Sequence, residues 1–190
     1  MQIDRKLKDY FAILESSFYV GDDVIDVASN TFPDKQTLIN SLSEKEKLLP
    51  IWSDFLGRLK IFPDARIRDF TRMGGRHSFN CLFMYKSSGP KGLIISISIP
   101  FRVYGFYFYK FIKKTNVIFD VVESYSSIDS DMTNKVLEIE KVLKFYFKEI
   151  EAFDSKYAKI NIQKLEIDGS IYQNIDLWKA IFTTNTNIIM

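Results

Sequence analysis

The chain has 190 residues, of which 46% are apolar, 15% aromatic and 26% charged, with a formal net charge of +2. That balance excludes a disordered or fibrous chain and suits one globular domain with a full core. A single cysteine, Cys81, excludes an intramolecular disulfide and points to a reducing, cytoplasmic setting. No long apolar run follows the N-terminal charges, so no signal peptide is expected. The longest apolar stretches, near 92–100 and 103–111, are too short and interrupted to span a bilayer.

The first predicted element is an amphipathic helix. Ile3, Leu7, Tyr10, Phe11, Leu14 and Phe18 recur at three- and four-residue steps and so share one stripe. Gly21 with Asp22 and Asp23 should end it, followed by a short extended or irregular piece, Val24–Ala28. Asp34 reads as an N-cap, and Ser43–Glu46 has capping-box spacing. Pro50 should interrupt the helix, because proline lacks the N–H and clashes one turn back. Trp52, Phe55, Leu56 and Leu59 then resume the helical spacing.

From about residue 65 the period changes to alternation. Strands are expected at 65–73, 78–86, 93–99, 103–111 and 117–125, with Gly74-Gly75 and the Ser87–Gly92 stretch as turns and Pro100 ending the third. Short turns between neighbours make this a mostly antiparallel meander. Helical spacing returns over 133–153, followed by a strand at 158–167 and a closing helix at 175–182. The predicted fold class is therefore α+β: N-terminal helices, a meander of about five strands, a long helix, a further strand and a C-terminal helix. The whole of 1–190 reads as one domain, with 1–60 mainly helical, 61–127 the meander, and 131–190 helix-strand-helix.

The residues give little support to catalysis, and a non-enzyme is expected. His77 is the sole histidine, and Cys81 lies four residues on in the same strand, about 13 Å away at strand rise. A direct Cys–His pair is poor there, so Cys81 reads as a small buried hydrophobe and His77 as a polar residue flanking a turn. One His and one Cys cannot build a typical zinc site, and no cofactor is expected. The acidic clusters at Asp22, Asp23 and Asp26 and at Asp129 and Asp131 lack the spacing of a calcium loop. No phosphate-binding glycine loop is present. A mechanism resting on carboxylates alone stays open.

Charge is the feature with most to say. Residues 61–114 carry 10 basic and 2 acidic side chains, while the segments on either side are net acidic. A two-residue turn at Gly74-Gly75 would place Arg66, Arg68, Arg72 and His77 on one sheet face with Phe70, Phe79, Phe83 and Tyr85. A bulge would shift that register. The run Tyr104–Phe111 shares Gly105, Phe106, Phe108 and Phe111 with the signature strand of the RNA-recognition motif. It lacks the leading basic residue, has Tyr107 where a small residue belongs, and sits in the wrong element order, so it reads as a core strand. The candidate binding residues are Arg66, Arg68, Arg72, Arg76, His77, Arg102, Tyr107 and Tyr109.

Three functions fit this inventory. The first is a cytoplasmic inhibitor that binds an acidic protein partner, such as a bacterial toxin-immunity protein, which needs rigidity and charge complementarity rather than chemistry. The second is a nucleic-acid-associated protein using the same arginines and rings. The third is a small enzyme with a carboxylate-based site in the sheet concavity, lined by Tyr107, Tyr109 and Glu123. An edge strand could also pair two copies into a homodimer.

Overall fold

The computed structural model describes residues 4–17, 19–20, 36–71, 77–85, 91–113, 116–121, 130–167 and 170–182. Helix α1 (Arg5–Ser17) and a short strand β1 (Tyr19–Val20) precede the long helix α2 (Gln36–Leu59). Then come β2 (Ala65–Asp69), β3 (Ser78–Tyr85), β4 (Lys91–Ser98), β5 (Val103–Lys113) and β6 (Asn116–Val121). Helix α3 (Ser130–Tyr146), β7 (Glu151–Ala152), β8 (Asn161–Ile167), β9 (Ser170–Asp176) and α4 (Leu177–Phe182) complete the chain. The α+β class and the five-strand antiparallel meander, in the order β2-β3-β4-β5-β6, are as the periodicity predicts. The expected features at Asp22 and Asp23, Val24–Ala28, Asp34, Gly74-Gly75 and Asp129 lie outside the described residues.

Both faces of the meander are used. On one face Phe79, Cys81, Phe83, Leu93, Ile95, Ile97, Tyr104 and Phe106 pack against Trp52, Phe55 and Leu59 of α2 and Val136, Ile139 and Leu143 of α3. On the other, Val103 and Tyr107 join a second core built from α1, the 153–158 segment, β8, β9 and α4. Gly105 permits the close approach of α4: a Cβ there would lie 2.2 Å from the Trp178 ring.

Four expectations are corrected. The first concerns α2, which runs through Pro50, with Ser43–Glu46 inside it rather than at its start. Pro50 and Glu46 are both solvent-exposed, so the carbonyl of Glu46 that loses its intrahelical donor can be solvated. Tertiary packing of Trp52 and Phe55 on one side and Leu48 on the other holds the helix together.

The second correction shortens α3 from Phe153 to Tyr146. The Glu151 and Phe153 amides donate instead to the Arg102 and Tyr104 carbonyls (2.9 and 2.8 Å), pulling β7 into parallel pairing with β5. Third, residues 175 and 176 belong to β9, which pairs with β8 in a second sheet ordered β1-β8-β9, so the closing helix is confined to α4. Asp176 accepts the Lys179 amide (2.8 Å) at its start.

The fourth is a register shift of one between β2 and β3. Arg66 pairs with Met84, Arg68 with Leu82 and Asp69 with Cys81. A one-residue slip exchanges the two faces of a strand. Arg66 and Arg68 therefore lie opposite the face that carries Phe79, Cys81 and Phe83. Strand β2 also stops at Asp69, whose carboxylate takes the Thr71 amide at 2.9 Å in an Asx-type turn.

Candidate interaction surface

Strand β2 forms one edge of the meander, and both of its arginines are exposed. Arg68 lays its guanidinium over the Phe70 ring, 5.0 Å from the centroid. Neither Arg66 nor Arg68 forms an ion pair with a described residue. Of the rings expected beside them, Phe70 is there but buried, while Phe79 and Phe83 lie on the other face, against α2 and α3.

Arg102 sits at the other end of the sheet, in the turn that joins β4 to β5. Its backbone adopts φ 50°, a left-handed conformation closed by the Arg102 amide on the Ile99 carbonyl (3.2 Å). The side chain, 59% exposed, reaches Glu44 of α2 (3.4 Å) and Glu149 beyond α3 (3.8 Å). These residues rim a cleft of ≈ 220 Å³ whose floor includes Leu48, Ile99, Phe147 and Ile150. The basic character that Arg102 brings is thus neutralised by the acidic flanking segments of the same chain. Such exposed pairs contribute about 0–1 kcal/mol each.

His77 flanks the turn before β3, as expected, but is buried there. Its Nδ1 lies 3.0 Å from the Ser41 hydroxyl of α2, a hydrogen bond that ties the helix to the start of β3. A Ser–His contact is one half of a nucleophile–base arrangement. Here both partners are buried, at 4% and 8% exposure, which favours a structural tie. The Asp69 carboxylate is turned to the Trp52 indole N–H (3.3 Å) and the Thr71 amide. Lys45 donates to the Thr71 carbonyl (3.3 Å) and lies 5.5 Å from the Phe79 ring centroid; burial lowers the pKa of its ammonium. Burial pushes the Cys81 thiol well up, as for an inert core residue.

Tyr107 is half-buried and stacked on Trp178 (5.6 Å), which fills the sheet face at that point. Tyr109 lies on β5 between Gly92 and Phe119. Arg72, Arg76 and Glu123 fall outside the described residues. The six sequence candidates among the described residues thus do not gather in one place. Arg66 and Arg68 stay together, Arg102 joins an acidic pair, and His77 and Tyr107 turn inward. The contacts of Ser41, Glu44 and Glu149 were not legible in the sequence, because their partners are 36 to 58 residues distant.

Among the described residues no group of three or more His, Cys, Asp or Glu could hold a metal ion. Nor is any described helix long and apolar enough to cross a membrane. No protein-family model, no curated protein and no solved structure matches this chain.

Proposed function

We propose that the protein works by binding, as an inhibitor of an acidic protein partner of the kind that neutralises a bacterial toxin. One observation carries this reading: Arg66 and Arg68 stand exposed and adjacent on an edge strand, without an acidic partner among the described residues. Arg102, by contrast, is already matched by Glu44 and Glu149. A sheet edge with two guanidiniums unmatched among the described residues is suited to fast, charge-steered association. A protein partner is favoured over nucleic acid, because Phe70, Phe79 and Phe83, the rings on which bases would stack, are buried. It is favoured over a hydrolytic site in the sheet concavity, because Trp178 occupies the face beside Tyr107.

The test is co-expression with a toxin encoded by a neighbouring gene. The chain should restore growth and co-purify with the toxin. The double variant Arg66→Glu/Arg68→Glu should lose both effects while keeping the far-UV spectrum of the parent. Failure of the parent chain to rescue growth or to co-purify overturns the reading.

A further inference from the structure

We infer that strand β2 is a docking edge that receives an extended acidic segment of the partner as an added β-strand. This inference rests on the binding reading above and specifies its mode. The Phe70 amide donates to the Asn80 carbonyl at 2.8 Å, and these residues continue the β2–β3 register. Bonded and non-bonded pairs alternate in an antiparallel ladder. The pairs Arg68/Leu82 and Arg66/Met84 are therefore bonded, and Ile67/Phe83 is not.

The N–H and C=O of Ile67 consequently point away from β3, to the side where β2 meets no further described strand. The Ala65 amide is turned back to the Phe62 carbonyl (3.2 Å), so Ile67 is the centre of the open edge. An incoming strand bonded to Ile67 places one residue opposite it and that residue's two neighbours opposite Arg66 and Arg68. Ile67 packs partly into the core beside Phe62 and Ala65, which favours an apolar residue at the middle position. The two arginines select carboxylates on either side. The recognised pattern is acidic–apolar–acidic.

A second copy of this chain is the wrong occupant. An antiparallel β2–β2 pair centred on Ile67 would set Arg66 of each copy opposite Arg68 of the other on the same face. Directly opposed like charges are destabilising, and edge cations are a known guard against self-pairing.

The probe is a short capped peptide alternating Glu and Val, titrated at low salt into the isotope-labelled protein and followed by backbone amide shifts. Shifts should centre on Ile67 and Asp69. Ile67→Pro removes an outward N–H without removing a β3 bond, and should weaken binding by at least about tenfold, as strand addition requires. The same peptide N-methylated on its valines should fail against the unmodified protein, a control that does not depend on how the proline variant folds. Undiminished binding of the methylated peptide, shifts centred away from β2, or no binding at low salt overturns strand addition. The inhibitor reading is judged separately, by growth rescue.

Discussion

The two faces of the meander are closed in different ways. The face beneath α2 and α3 is closed by apolar bulk: Trp52 stacks on Phe79 (5.0 Å), and Phe55 and Phe147 meet edge to face (6.1 Å). The face beneath α4 carries a polar ladder. Ser96 donates to Asn80 Oδ1 (2.7 Å), Asn80 donates to Ser78 Oγ (2.8 Å), and Ser78 donates to the Phe182 carbonyl at the end of α4 (2.7 Å). Apolar packing tolerates many arrangements of similar volume, whereas a chain of buried hydrogen bonds accepts one. Apolar packing closes the first face, and the ladder on the second fixes where a short six-residue helix sits.

This contrast can be broken from either side. The largest effect is expected for Trp52→Ala, which removes a fully buried ring and leaves the Asp69 carboxylate without the indole donor. It should cost about 4 kcal/mol in urea unfolding. Gly105→Ala comes next, at about 3 kcal/mol, because the added methyl meets the rigid Trp178 ring. A double-mutant cycle with Trp178→Phe should recover part of that loss; strict additivity would show that the contact with Trp178 is not the cause.

Ser96→Ala should cost about 2 kcal/mol by orphaning the buried Asn80 carbonyl oxygen. A neutral result would mean that the ladder contributes no specificity.

The smallest effect belongs to a surface clamp on the second core. Asp4 caps α1 by accepting the Lys6 amide (3.0 Å), and its carboxylate also meets Lys156 (3.1 Å). The Tyr157 hydroxyl and the Lys156 ammonium hold the Asp4 pKa down, from 3.8 to about 2. A depressed carboxylate stabilises the fold fully above its unfolded value, and that stability is lost as pH falls from about 4 towards 2. Asp4→Asn should therefore flatten the acid limb of the stability curve in that window and leave the ranking of the core variants at neutral pH unchanged. An unaltered acid limb would show that the clamp contributes nothing.

The charge distribution shows how far local information reaches. The excess of basic residues in 61–114 is a property of composition, and it correctly marks Arg66, Arg68 and Arg102 as surface residues. Which of them are matched depends on residues far away. Arg102 finds Glu44 58 residues back, because α2 folds over the β4–β5 turn. Its positive φ was not legible either, since arginine carries no preference for that conformation. Cys81 was legible as a buried core residue because alternation in β3 puts it among apolar neighbours. His77 was not, because its burial is decided by Ser41.

The sequence by itself determined the element types: the switch from helical spacing to alternation and back marks α1, α2, the five meander strands and α3. It also determined that the lone thiol would be buried and that positive charge would collect in the middle of the chain. These follow from local periodicity and composition, which act within a few residues of one another. Tertiary structure alone decided the survival of α2 through Pro50, the early end of α3 where the chain pairs with β5, and the one-residue register of β2. Each is a choice between nearly equal local options, and packing across the sheet tips it. The register matters most, because it turns Arg66 and Arg68 away from Phe79 and Phe83 and leaves Ile67 as the open rung between them.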